Sequence, residues 1–177
     1  LRLGQRFQFL DAGLRGVDVD LELELVLREQ LLAQLVQFIR NGSQGTLGFV
    51  GTAKNTGKTT AAVHMLGLIE AAGLSTALTS IGFDGENTDH ITGLPKPRYQ
   101  ASRRMWVATA DSLLNYGSAV FDQVQPTGLR IILGEIVIAR VAQPGTVALA
   151  GPNRRVDIRH LLGQLTSLSV DLAMVDG

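Results

Sequence analysis

Apolar residues in this chain gather into short blocks whose spacing switches between strand-like and helical. Thr46-Leu-Gly-Phe-Val50 is a compact apolar run preceded by the turn signals Asn41-Gly42-Ser43 and Gly45, the pattern of a buried parallel strand. From Thr59 to Ala72 the apolar positions Ala62, Met65, Leu66 and Ile69 form a helical stripe, and Gly73 supplies a stop. Ser75 to Ile81 reads as a second strand and Met105 to Ala110 as a third, with a helix expected from Asp111, a natural N-cap. Glu135 to Val141 and Thr146 to Ala150 are β-branched apolar runs separated by Gln143-Pro144-Gly145, which predicts an antiparallel pair or an edge excursion. Ile158, Leu161, Leu162, Leu165 and Leu168 then mark a helix ending near Ser169, and Leu172-Ala-Met-Val175 a last strand.

Two stretches stand apart from this alternation. Residues Leu21 to Ile39 begin with apolar residues at every second position and pass into helical spacing through Leu31, Leu35 and Phe38. Their length and lack of Gly or Pro favour a helix, packed beside the core or docking a partner. Gly85 to Gln100 is rich in Gly, Asp, Asn and Pro, too polar for a core element and long enough to suggest a functional loop. The chain thus divides into a leading helical segment, residues 1–44, and a domain over 45–177 in which strands and helices alternate. Such alternation predicts an α/β fold of three layers with a mainly parallel sheet.

Composition narrows the class. With 177 residues, 45% of them hydrophobic, the chain buries one sizeable core. Sixteen basic residues balance sixteen acidic ones, so no overall positive field favours nucleic acid or anionic lipid as a partner. The lack of cysteine excludes disulfides and thiolate chemistry and fits a cytoplasmic location. No apolar run reaches the eighteen or so residues of a membrane span, so no membrane partner is expected. Because the chain begins with Leu1 and stops at Gly177 directly after an apolar run, it reads as a fragment truncated at its C-terminus.

The chemistry is concentrated where the first strand meets the first helix. Val50-Gly-Thr-Ala-Lys-Asn-Thr-Gly-Lys-Thr-Thr60 has the form of a phosphate-binding loop. In such a loop backbone N–H groups cradle phosphate oxygens, a lysine reaches the outer phosphates, and a hydroxyl is offered to Mg²⁺. The positive end of the following helix dipole adds to the attraction. Five residues separate Gly51 from Gly57-Lys58-Thr59 where the usual pattern has four, so Thr52 fills the slot of the first glycine. The nucleotide-binding residues are accordingly Gly51, Thr52, Asn55, Thr56, Gly57, Lys58, Thr59 and Thr60. This shifted form resembles the loop of dethiobiotin synthetase and its relatives, in the branch of P-loop proteins that also holds metallochaperone GTPases and MinD-like ATPases. The signature lysine of the MinD-like group would fall at Ala53, so that role does not pass to Lys54.

Two acidic positions complete the expected metal site. The terminal Leu172-Ala-Met-Val-Asp176-Gly177 has the form of a Walker B element, an apolar strand whose final carboxylate holds Mg²⁺; a plain Asp-Gly turn is the bland alternative. Asp84, in Ser80-Ile-Gly-Phe-Asp84-Gly85-Glu86, follows the strand after the loop helix and is placed to reach the same metal or position the attacking water; a solvated turn is the alternative. Glu135 is assigned to a site role or to a structural cap or surface ion pair, and Lys96, Arg98, Arg103 and Arg104 to a phosphate or partner surface or to a solvated loop. His64, His90 and His160 lack metal-ligand spacing, His90 in the polar loop being the one placed to approach a nucleotide. Trp106 and Tyr116 read as core or interface.

Taken in order, Val50–Thr60, Thr79-Ser-Ile-Gly-Phe-Asp-Gly-Glu86, Gly134-Glu-Ile-Val-Ile-Ala-Arg-Val141, Ala148-Leu-Ala-Gly-Pro152 and Asp171–Gly177 resemble the P-loop ATPase subunits that reactivate adenosylcobalamin-dependent lysine 5,6-aminomutase. That resemblance implies a three-layer P-loop NTPase fold and ATP with Mg²⁺ as cofactors. The implied activity is ATP-driven release of damaged cobalamin. It also implies a cobalamin-dependent mutase and a second reactivase subunit as partners, with a homo- or hetero-dimer as the assembly. Lys58 and Asp84 then carry catalytic roles, and Thr59, Asp84 and Asp176 hold the metal. A biosynthetic enzyme like dethiobiotin synthetase and a nucleotide-binding interaction module are the alternatives. No Asn-Lys-x-Asp guanine motif occurs, which leaves ATP against GTP open on the residues alone.

Overall fold

The computed structural model describes residues 6–9, 19–20, 33–34, 36–37, 44–50, 58–84 and 98–177. The loop residues Gly51, Thr52, Asn55, Thr56 and Gly57, together with Glu86, His90 and Lys96, lie outside the described residues.

The protein is mixed α/β. Its main sheet is built from β1 (Arg6–Phe9), β2 (Val19–Asp20), β3 (Gly45–Phe49), β4 (Thr76–Ser80), β7 (Trp106–Ala110), β8 (Val120–Ile131), β9 (Gly134–Gln143) and β12 (Leu172–Asp176). Their spatial order is β2-β1-β3-β12-β4-β7-β9-β8. The parallel pairing expected from the sequence occupies the centre, where β3, β12, β4 and β7 run in one direction. Antiparallel strands flank it on both sides, β1 against β3 and β9 against β7. Two small antiparallel pairs lie beside it: β5 (Phe83–Asp84) with β11 (Leu149–Ala150), and β6 (Tyr99–Ala101) with β10 (Gly145–Val147). In the leading segment, β1 and β2 are strands, whereas Ala33, Gln34, Val36 and Gln37 are helical as expected.

Strand alternation assigns each central strand two apolar faces, and each face receives one helix. Leu78, Val107, Leu172 and Met174 share a cluster with Ala62, Met65, Leu66 and Ile69 of helix α1 (Lys58–Ala71). Ala77, Ala108 and Ala173, one residue out of phase, share another with Leu161 and Leu165 of helix α2 (Arg155–Thr166). Period 2 in the strands and period 3.6 in the helices account for both clusters. Ile69 is fully buried in the first. Replacing it by alanine is expected to destabilise the protein by about 2–5 kcal/mol, read from the midpoint of urea unfolding; a loss below 1 kcal/mol would show that the α1 face can collapse around the hole.

Helix α1 ends where Gly73 was expected to end it. Gly73 adopts φ 75°, its N–H donates to the Glu70 carbonyl at 2.9 Å, and the Leu74 N–H reaches Ile69 O at 3.3 Å. These are the two bonds of a Schellman cap, and the positive φ suits a residue without Cβ.

Two expectations are overturned. Asp111 opens a single 3₁₀ turn, Asp111–Leu113, rather than a helix, and the chain then enters the twelve-residue strand β8. β8 carries no clean alternation, since it is largely exposed and holds Pro126 and Gly128; its pairing with the strongly apolar β9 makes it a strand. The runs around Gln143-Pro144-Gly145 do not pair with each other. β9 lies between β7 and β8, while β10 pairs with β6 and β11 with β5. At Gly145 a Cβ would collide with the backbone of Ser118 and Ala119, so this glycine serves a close crossing of two chain segments rather than a hairpin tip. Among the described residues, no helix is long and apolar enough to cross a membrane.

Candidate functional site

The four parallel strands point their carboxyl ends to one edge of the sheet, the edge where ligands bind in open α/β sheets. Three features converge there. β3 ends at Phe49 and leads into the loop, α1 begins at Lys58 beyond it, and β12, lying between β3 and β4, ends at Asp176. Register places Asp176 level with Phe49 on one side and Ser80 on the other. The ladder continues past it, with Ile81 N–H donating to Asp176 O at 2.7 Å and Gly177 N–H to Phe49 O at 3.0 Å. The backbone of this carboxylate is therefore held from both sides.

Its side chain is only 1% exposed, and among the described residues three groups meet it. Thr59 Oγ1 donates to Asp176 Oδ2 at 3.0 Å across 117 residues of sequence. The Tyr99 hydroxyl donates to the same oxygen at 2.8 Å. Lys58 Nζ stands 3.1 Å from Oδ1, with its own side chain 28% exposed. Oδ1 nonetheless receives no hydrogen bond of good geometry among the described residues, so Lys58 acts on it as a charge rather than as an aligned donor. A buried carboxylate needs such compensation, because transfer of an unpaired ion out of water is very costly.

These atoms suit a hard divalent cation. Mg²⁺ takes oxygen ligands and is commonly bound through one or two carboxylates plus phosphates. The Asp176 carboxylate and the Thr59 hydroxyl are two such oxygens within 3.0 Å of each other, and Oδ1 is short of aligned donors. No cluster of three His, Cys, Asp or Glu side chains exists among the described residues, so a cation here would draw its remaining ligands from elsewhere, as Mg²⁺ with a nucleotide does.

The other expected residues are placed differently. Thr60 is exposed on the first turn of α1. Asp84 belongs to β5, beyond the end of β4 and paired with β11 at Leu149, and its side chain lies outside the described detail. Glu135 Oε1 accepts the Gly128 N–H at 3.2 Å and closes the β8–β9 hairpin, a structural role. Arg103 and Arg104 precede β7, at the amino end of the parallel strands and opposite Lys58, so they are not part of this site. His64 is exposed on α1, and His160, exposed on α2, contacts Gln164 at 3.0 Å. Trp106 packs partly buried against the α2-side cluster, and Tyr116 is exposed.

Tyr99 was not singled out from the sequence. It lies within the stretch Gly85 to Gln100 read there as a polar loop, yet it is 2% exposed and opens β6. In Tyr99-Gln100-Ala101 the first and third residues are buried and the second exposed, a strand signal too short to stand out after so many polar residues. Gly151, within the Ala148–Pro152 block, lies against β4, where a Cβ would overlap the Ser80 carbonyl oxygen. Its N–H donates to Gly82 O at 2.8 Å. Compared with protein-family models, curated proteins and solved structures, the chain matches none.

Proposed function

We propose that this chain binds and hydrolyses ATP with Mg²⁺, using the three-layer P-loop arrangement, and that it acts as a reactivating chaperone ATPase for a cobalamin-dependent aminomutase. One observation carries the nucleotide reading: the hydroxyl and the lysine that end the phosphate-loop motif both meet a buried strand-end carboxylate, Asp176, which lies 117 residues beyond Thr59. A generic turn between a strand and a helix has no reason to make this pairing. The reactivase role rests on the ordered sequence blocks, with the mutase and a second reactivase subunit as partners.

Each residue has a defined task in that reading. The N-terminus of α1 and the Lys58 ammonium attract phosphate, and Lys58 leaves Asp176 to do so. Thr59 turns its hydroxyl oxygen from donor to ligand. Asp176 supplies the carboxylate that holds the metal, and Asp84 remains the proposed group for water or metal positioning. Mg²⁺, when bound, supplies charge neutralisation on the phosphates. Catalysis is then mostly positioning and electrostatics, as is usual for phosphoryl transfer.

Phosphate release should be measured with Mg-ATP alone, with small carboxylic acids, and with a cobalamin-dependent aminomutase holding damaged cofactor, alongside binding of a fluorescent ATP analogue. Turnover stimulated by the mutase is expected. Turnover that requires a small acid points instead to a dethiobiotin synthetase-like enzyme, and binding without turnover to an interaction module. Failure to bind any Mg-nucleotide would overturn the reading altogether.

A further inference from the structure

Asp176 is gripped by three side chains, and two of them have other work once a nucleotide is present. Lys58 and Thr59 belong to the phosphate-loop motif and to the first turn of α1, so phosphate and metal compete with Asp176 for both. Tyr99 does not. It comes from β6, a strand paired with β10 and outside the loop and helix, and its ring is buried in the cluster that packs α1 on the sheet. Its hydroxyl meets Oδ2 at 2.8 Å.

We propose that Tyr99 is the positioning residue for the metal carboxylate: its hydroxyl anchors Asp176 Oδ2 when Lys58 and Thr59 turn to the nucleotide, leaving Oδ1 as the oxygen available to the cation. This rests on the nucleotide reading above. Two features support it. The hydrogen bond is buried and charge-assisted, the class that is strongest and most directional. Among the described residues the carboxylate is also divided in use, since Oδ2 accepts two hydroxyl donors while Oδ1 accepts no aligned one. A carboxylate free to rotate would present either oxygen, whereas one fixed at Oδ2 presents one. Hydrogen-bond partners of metal ligands commonly set metal affinity in this way.

Tyr99→Phe removes one oxygen and keeps the ring in its cluster. The probe is Mn²⁺, whose binding to the protein with ATP is followed by electron paramagnetic resonance, beside the Mg²⁺ concentration needed for half-maximal phosphate release. The variant is expected to bind Mn²⁺ at least about tenfold more weakly and to need correspondingly more Mg²⁺, with ATP binding in the presence of a chelator close to wild type. Ala101→Gly provides the comparison, because Ala101 is buried on the same face of β6 and its methyl side chain has no hydrogen-bond donor to offer Asp176. It is expected to lower the melting temperature and leave Mn²⁺ affinity unchanged. Equal Mn²⁺ affinity in wild type and Tyr99→Phe overturns the role of Tyr99, and so does equal weakening in Ala101→Gly, which would mark a packing effect. A wild-type protein that binds no Mn²⁺ with ATP overturns the nucleotide reading as well, and that is visible before any variant is compared.

Discussion

Lys58→Ala is expected to lower ATP turnover about 100- to 1,000-fold while the protein remains folded. The range is that of losing one preorganised group aimed at charge that develops in the transition state. Lys58 stands at the start of α1, where in the proposed reading its ammonium and the helix N-terminus act on the same phosphate. In the structure the ammonium faces Asp176 Oδ1 at 3.1 Å, so the substitution also removes the only charge partner of that carboxylate among the described residues. The stability loss stays modest, on the order of 1–3 kcal/mol, because Lys58 is partly solvated and the hydroxyls of Thr59 and Tyr99 remain on Oδ2. Steady-state phosphate release and urea unfolding measured on the same preparation separate the two effects. Turnover within threefold of wild type would remove Lys58 from the mechanism.

Asp176→Asn is expected to abolish the response to Mg²⁺, with turnover falling at least about 100-fold and not recovering as the metal is raised. The amide keeps one oxygen to accept from Thr59 and Tyr99 but has no charge for a cation and turns an NH₂ toward Lys58. Lys58, partly exposed, can swing into solvent, so the fold should persist. Asp176→Ala differs in a useful way. It leaves the Tyr99 hydroxyl, buried beside the former carboxylate, without that acceptor, and should cost about 1–3 kcal/mol of stability that the asparagine variant does not lose. Metal titration of turnover checks the first expectation and unfolding midpoints the second. If Asp176→Asn keeps a normal Mg²⁺ response, the cation is held elsewhere.

Elements whose apolar spacing is strong and whose ends carry recognisable signals were legible before any coordinates. The stripe Ala62, Met65, Leu66 and Ile69 with Gly73 behind it became α1, and Leu172–Val175 became the core of β12. β8 was not legible, because an edge strand packed on one neighbour has no need of alternating apolar residues. The partners of β10 and β11 were not legible either, since a turn signal such as Gln143-Pro144-Gly145 marks a change of direction without saying which strand lies alongside next. The site divides in the same way. Lys58 and Thr59 are written in a local motif, and the Asp176 carboxylate in a strand end. Tyr99 is invisible because nothing in its neighbours along the chain announces a hydroxyl aimed at a residue 77 positions away.

By itself, the sequence determined the α/β alternation, because period 2 in strands and period 3.6 in helices depend on residues within a few positions of one another; the glycine-bracketed motif on which the proposed nucleotide chemistry rests is likewise a local pattern. Only the tertiary structure decided that β12 enters between β3 and β4, which brings Asp176 to Thr59 and Lys58 and leaves Arg103 and Arg104 at the opposite end. It also decided that Tyr99 completes the carboxylate's surroundings. Strand order and buried hydrogen bonds are set by which apolar faces fit together across the whole chain, and no local window of residues contains that information.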